Sequence, residues 1–492
     1  MLLFIYHKIS YISKIRTFIL LFLSTIVIIS TVLIITTLRT LLLHKVPVKG
    51  GTLSIRLKTP LAIPLPYQEQ TIADSFFTKL VFAGAGIVRD HELYFDLAEN
   101  ISTDELSTKI TPKEQITFSN GAPITIDDII FSLNEFFRHS GQSKNPPLID
   151  EDGGSIVIHN MTSENILFEG MIEAPWINKE IFTKYPPLER ISKLSEILDY
   201  SSGPYRVSRN FSFTRTYIFA RKNYDGPHYL STISFESDPQ LSDISRKQDI
   251  TIVESQNILD ITLPKKIEPR YSSSKNIIGV FMGNKFSSSF TDLKNIITHT
   301  HINSTLLGAK QYSPLYFGNN TIFEIPKKTK SSGTLELSYP DNNYYKTLAV
   351  AIQDQAKKYN YNIILKPVKS YTLKNLIQDR NFSTLLYGYE IEQPSDTPLF
   401  FKSTSMYPQG LNIFNIKSTE IDTLLNEPLT KQSVAHLEEK ILQQKTFIPL
   451  ISPHFLLFAQ NSVYGIVSYD KNRSTDLFEE PRFWYKSQKF TW

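Results

Sequence analysis

The stretch Phe118–Leu133, FSNGAPITIDDIIFSL, decides how the chain is read. Asn120-Gly121 is a tight-turn pair, because glycine accepts the positive φ that such a turn needs. Pro123 sets an extended approach to the residues after it. Thr125 stands where a helix N-cap belongs, and Asp127 and Asp128 fall in the first turn, where carboxylates complement the helix dipole. Ile129, Ile130, Phe131, Leu133 and Phe136 then carry the helix onward. These residues are structural, and Asp127 and Asp128 are read as dipole partners rather than ligand contacts.

Toward the N-terminus, Gly50-Gly51 opens the segment GGTLSIRL, in which Leu53, Ile55 and Leu57 alternate with polar residues as in a half-buried strand. TPLAIPLP (59–66) reads as loop. Residues 72–87 suit a helix with Phe76, Leu80 and Val81 on one face. Residues 141–153 are polar and read as a surface loop. Toward the C-terminus, strands and turns dominate from about 155 to 270. They include the Ser202-Gly203-Pro204-Tyr205 turn and the strand Tyr217–Ala220. A second block begins near 276. Strands at Ile277–Met282, Leu335–Tyr339, Tyr361–Leu365 and Ser383–Tyr387 surround helices at Asn343–Lys358 and through Leu373 and Ile377. That alternation predicts an α/β lobe with parallel strand pairs. A helix at Leu437–Gln444 precedes two apolar strands, Ile448–Ile451 and His454–Phe458.

The run Thr17–Leu38 carries no charge. As a helix it is about 33 Å long, enough to cross a hydrocarbon core of about 30 Å. It exceeds the apolar region of a signal peptide, and no A-x-A-like cleavage site comes after it, so an uncleaved anchor is expected. Lys8, Lys14 and Arg16 precede the run, and Arg39, Lys45 and Lys49 lie beyond it, so charge alone does not orient it.

Composition excludes several chemistries. There is no cysteine, hence no disulfide, no cysteine-ligated zinc and no thiol nucleophile. A net charge of +4 with interspersed signs lacks the basic patch that nucleic acid requires. There is no phosphate-binding G-x-x-x-x-G-K-[ST] run and no G-x-S-x-G elbow. His299 and His301 lie two apart in a predicted helix, where they point in different directions and make a poor metal pair. No cofactor or catalytic residue is assigned, and the chain is read as a binding protein, not an enzyme.

Several segments beyond residue 50, in order, resemble the peptide/nickel class (family 5) of extracytoplasmic solute-binding proteins. They are GGTL at 50–53, the 118–133 stretch, SSGPYRV (Ser201–Val207), the Asn223-Tyr224 turn with Gly226-Pro227, GLNIFNIKSTEIDTLLNE (Gly410–Glu427) and KTFIPLISPHFLLF. The resemblance implies an α/β, two-lobed periplasmic-binding-protein fold of type II, here with an N-terminal transmembrane helix. Residues 1–49 would form the cytoplasmic tail, anchor (about 17–38) and linker. The first lobe would hold 50–270, completed by 455–492, and the second lobe 271–454. The large domain would lie outside the cell membrane as a monomer. It would pass a peptide or other small solute to the permease subunits of an ABC transporter.

The segment LLYGYEIEQPSD (Leu385–Asp396) resembles the family's G-W-x-A-D-Y-P-D-P stretch, which faces the cleft. Gly388 falls on its Gly, Tyr389 on its Trp, Glu392 on its Asp and Pro394 on its Pro; Glu390 stands where a small residue is usual. By that resemblance Gly388, Tyr389, Glu390 and Glu392 are ligand-contact candidates, with Glu392 pairing the α-amino group of a peptide. A buried ammonium demands such a partner. Two carboxylates so close would suit a dibasic ligand or a metal complex, unless Glu390 is simply solvated. Lys58-Thr59-Pro60-Leu61 and Phe281–Ile302 depart from the family pattern. They leave open a second reading: an anchored sensor, chaperone or structural surface protein with a degenerate cleft.

Overall fold

The computed structural model describes residues 22–33 and 44–491, apart from 69–70, 90–91, 141–145, 164, 166, 227, 245–247, 255–260, 262–269, 274–275, 301–308, 312–332, 391–399, 407–409, 427–430, 461, 466–480 and 487. The 118–133 stretch folds as its residues dictate. Gly121 has φ +90°. The helix Ile126–His139 is capped reciprocally: Thr125 Oγ1 accepts from Asp128 N at 3.2 Å, and Asp128 Oδ2 accepts from Thr125 N at 3.0 Å. Asp128 also accepts from Lys179 N at 2.8 Å, so it does more than complement a dipole.

Two predicted elements before residue 160 differ. The helix expected over 72–87 stops at Val81, because Phe82 turns extended; Gly86–Arg89 is instead a strand paired with Glu92–Phe95. Within the predicted loop 141–153, Ile149–Asp152 is a strand that pairs with Ser155–His159 around Gly153 (φ +57°) and Gly154 (φ +80°). This hairpin belongs to a four-stranded antiparallel sheet with Ala98–Thr103 and Ser107–Pro112.

A 12-stranded sheet runs through the molecule. At one end, Thr52–Leu57 lies between two strands parallel to it, Thr232–Ser237 and Ile250–Glu254. Its inward residues Leu53, Ile55 and Leu57 are buried, as their alternation predicts. At the other end, Gly333–Pro340 lies between the parallel strands Tyr361–Val368 and Thr384–Glu390. Helix Asn343–Lys357 crosses over there, burying Leu348, Ile352 and Ala356. Between the two halves, the expected pair of strands at 448–451 and 454–458 is one 13-residue strand, Phe447–Ala459. Its first half pairs with Asn276–Met282, and its second half with Ile250–Glu254 on one side and Arg270–Ser273 on the other. Prolines are usually kept out of interior strands. Here Pro449 is tolerated where the register shifts beside Gly279, whose missing Cβ would lie 2.3 Å from Ile448 O.

The buried apolar side chains separate accordingly. One set of clusters draws on 53–261 and 456–484, another on 277–451. The C-terminal segment returns to the first set. Arg482, buried, bonds the Asp96 carboxylate and donates to Lys79 O at 2.8 Å and Phe82 O at 2.6 Å. Tyr224 Oη donates to the same carboxylate. Trp484 packs on Phe76 with ring centroids 5.3 Å apart.

Among the described residues no helix is long and apolar enough to cross a membrane. Residues 22–33 are helical with Phe22, Leu23, Val27, Ile28 and Leu33 exposed; the rest of the run 17–38 lies outside the described residues. The next described segment, His44–Pro47, pairs antiparallel with Gln488–Thr491.

Candidate functional site

In open α/β sheets ligands gather outside the carboxyl ends of parallel strands. Both parallel trios here send those ends to the middle of Phe447–Ala459, the crossover where its pairing passes from Asn276–Met282 to Ile250–Glu254. In the first, Leu57 leads into Lys58 and Thr59, and Ile250–Glu254 ends beside them. Thr59 Oγ1 donates to Glu254 Oε1 at 2.9 Å, and Lys58 Nζ donates to Leu241 O at 3.0 Å. Leu57, Lys58, Thr59, Ala73, Ile252 and Glu254 line a recess of about 10 Å³, room for about one water. Arg56 bonds Asp238, at the end of the third strand. Glu254 is opposite Phe455 on the shared strand.

In the second trio, Thr384–Glu390 ends at the same crossover. Gly388 pairs with Ile278, Tyr389 with Ile277 and Glu390 with Asn276. Asn276 comes closely after Ser273, which is opposite His454. The strand thus sets Gly388 and Glu390 at the edge, while Glu392 and Pro394 lie outside the described residues.

Tyr389 sits elsewhere. Only 5% of it is exposed. Its ring lies 4.8 Å from that of Phe414, 5.5 Å from Phe447 and 5.9 Å from Phe400, inside an aromatic core. Among the described residues its hydroxyl has no hydrogen-bond partner, and burial, helped by Glu438, pushes the phenol well above its ordinary range. Successive strand residues point to opposite faces, so a neighbour of the edge residues is turned into the core. In this conformation the ring offers no surface to a ligand; it supports the strand that carries Gly388 and Glu390.

His299 caps helix Phe290–Thr298 and bonds Asn295 O through Nδ1 at 2.8 Å; His301 lies outside the described residues. Among the described residues no group of acidic or histidine side chains is arranged to hold a metal. Sequence reasoning misses Glu254 and treats Thr59 only as a departure from the family pattern. The signal for Glu254 is an apolar run, ITIV, closed by an acid.

No family profile matches the sequence, and no curated protein does. Solved structures match over nearly their whole length. An ABC transporter substrate-binding protein, CtaP, from Listeria monocytogenes is 16% identical, with a TM-score of 0.66 over 89% of this chain and 99% of that one. The oligopeptide-binding protein AppA from Bacillus subtilis, in complex with a nonapeptide, is 16% identical, with a TM-score of 0.60 over 90% and 100%. NikZ from Campylobacter jejuni, in complex with Ni(L-His), is 15% identical, with a TM-score of 0.64 over 88% and 99%. The chain has the two-lobed α/β fold of these binding proteins.

Proposed function

We propose that the chain is the extracytoplasmic solute-binding receptor of an ABC transporter, taking a peptide in the cleft between its lobes. The observation that carries this is the full-length likeness to binding proteins, among them one holding a nonapeptide. The convergence of two carboxyl edges at one crossover supports it. The lobes are taken as 50–270 with 455–492, and 271–454. The strands Phe447–Ala459 and Arg270–Met282 join them, so bending there closes the cleft. Gly388 and Glu390 stand at the rim. Glu392, two residues on, pairs the ligand's ammonium, and Tyr389 braces the rim from beneath. The receptor passes its ligand to permease subunits and performs no catalysis of its own.

The run 17–38 anchors it, with the folded domain outside. The exposed apolar side chains of 22–33 support this, since such a helix in water leaves its apolar area unburied.

Native mass spectrometry of the full chain, purified gently in detergent, tests the reading. A co-purified peptide mixture that is absent from Glu392→Ala is the expected result. A ligand-free mass, with no thermal shift against peptides or nickel–histidine, would overturn it in favour of a protein that keeps the fold without transport.

A further inference from the structure

Two segments far apart in sequence meet at one corner of the first lobe. Gly50 N donates to Tyr229 O at 2.7 Å, and Ser231 N donates to Gly51 O at 3.0 Å, so the lobe proper begins at residue 50. The segment 481–486 is fixed beside it. Trp484 is buried, Tyr485 and Tyr464 exchange two backbone bonds at 2.8 and 3.1 Å, and Lys486 Nζ donates to Asp249 Oδ1 at 2.7 Å. Asp249 in turn accepts from Ser54 N at 2.8 Å. The Tyr229 and Tyr485 rings lie 5.9 Å apart, and a Cβ at Gly51 would meet Lys486 at 3.7 Å.

From that corner the two segments run on together. Pro47 is opposite Gln488, Val46 opposite Lys489, Lys45 opposite Phe490 and His44 opposite Thr491, in an antiparallel sheet of their own. A two-stranded pair alone is marginal in water, but both strands of this one are held at its base by their attachments to the lobe. The pairing changes how much chain is left between the lobe and the apolar run. Leu38, where that run ends, and Gly50 are separated by the eleven residues 39–49; Leu38 and His44 are separated by the five residues 39–43. Fully extended, eleven residues span about 40 Å and five about 18 Å.

Resting on the anchored reading above, we infer that the pairing of His44–Pro47 with Gln488–Thr491 is a clasp that shortens the membrane tether of the receptor from eleven residues to five. With the clasp closed, His44 stays within about 18 Å of the end of the anchor. That confines the first lobe to the space beside a permease in the same membrane. For a linker that spans its gap, effective concentration falls as about the −3/2 power of length, so opening the clasp would dilute the lobe about threefold.

The chain has no native cysteine, so introduced pairs are unambiguous. The full chain is reconstituted in phosphatidylcholine vesicles. Opposed residues of an antiparallel pair have Cα atoms about 4.5–5.5 Å apart, within disulfide reach, so Val46→Cys with Lys489→Cys should cross-link under mild oxidant. Nitroxides at Leu33→Cys and Ser231→Cys, both exposed, report the tether through their distance distribution in pulsed dipolar spectroscopy. Adding Lys489→Pro and Phe490→Pro should broaden that distribution about twofold or more. One of two consecutive amides in such a strand bonds its partner, and the prolines remove both. A nitroxide at Ile28→Cys reports the anchor by its collisions with oxygen relative to a water-soluble nickel chelate. A lipid-like value at residue 28 with a 46–489 pair that stays reduced, or with a distribution that the prolines leave unchanged, overturns this inference and spares the anchor. A water-like value at residue 28 overturns both. The cross-link needs no strand-breaking change, so it decides the matter where the proline variant fails to fold.

Discussion

Replacing Arg482 by methionine keeps most of the volume and removes the charge. Asp96, 1% exposed, then keeps only the Tyr224 hydroxyl of its two described side-chain partners. Stranding one member of a buried ion pair costs about 3–5 kcal/mol. The carbonyls of Lys79 and Phe82 lose their donor as well, at about 1 kcal/mol each. Against a usual stability of about 5–15 kcal/mol, the first lobe loses a third or more. The assay is urea unfolding of the full chain in detergent, read by tryptophan fluorescence. Trp484 reports directly, two residues away and packed on Phe76. Asp96→Asn added to Arg482→Met should recover part of the loss, because no charge is then stranded. A loss below about 1 kcal/mol, the range of an exposed pair, would refute the reasoning. So would a double variant as unstable as the sum of the singles.

Gly279→Ala puts a Cβ 2.3 Å from Ile448 O and 2.4 Å from the Phe447 ring, so the second lobe should lose about 1–3 kcal/mol in thermal or urea melts. Asp128→Ala removes the reciprocal cap and the bond to Lys179 N, for an expected loss of about 1–2 kcal/mol by the same melts. Burial holds His228 below its ordinary range although its Nδ1–H donates to Gly226 O at 3.0 Å. The folded state therefore binds fewer protons than the unfolded one. Its contribution is present above about pH 6.5 and is lost as pH falls toward the lowered value. His228→Gln should flatten the slope of stability between pH 7.5 and 5.5 by up to about 1.4 kcal/mol per unit; an unchanged slope contradicts this.

What is legible in the sequence is local. Thr125 with Asp128, Asn120-Gly121, and the alternation of strands and helices from Leu335 to Tyr387 each declare their structure through neighbours a few residues away. Gly153-Gly154 is equally local, but the acidic residues around it make the segment read as loop. The expected break at Ser452-Pro453 is absent, because Ala309–Gln311 pairs across 451–453 while Asn276–Met282 and Ile250–Glu254 hold the two halves of the strand. Arg482 and Asp96 are 386 residues apart, and nothing in either neighbourhood names the other. Resemblance makes Tyr389 a cleft residue. The aromatic rings that enclose it come from Phe281, Phe400, Phe414 and Phe447, spread along the chain, so its burial is invisible in its own neighbourhood.

The strand Phe447–Ala459 has a consequence for biogenesis. It comes later in the chain than both of the strands it joins, and both parallel trios reach each other through it. While the chain is being made, Ile250–Glu254 and Asn276–Met282 wait with unpaired backbone edges, the kind of surface that recruits other chains. A premature stop before residue 447 would leave both edges open for good. Such products should aggregate or be degraded rather than accumulate as a free first lobe.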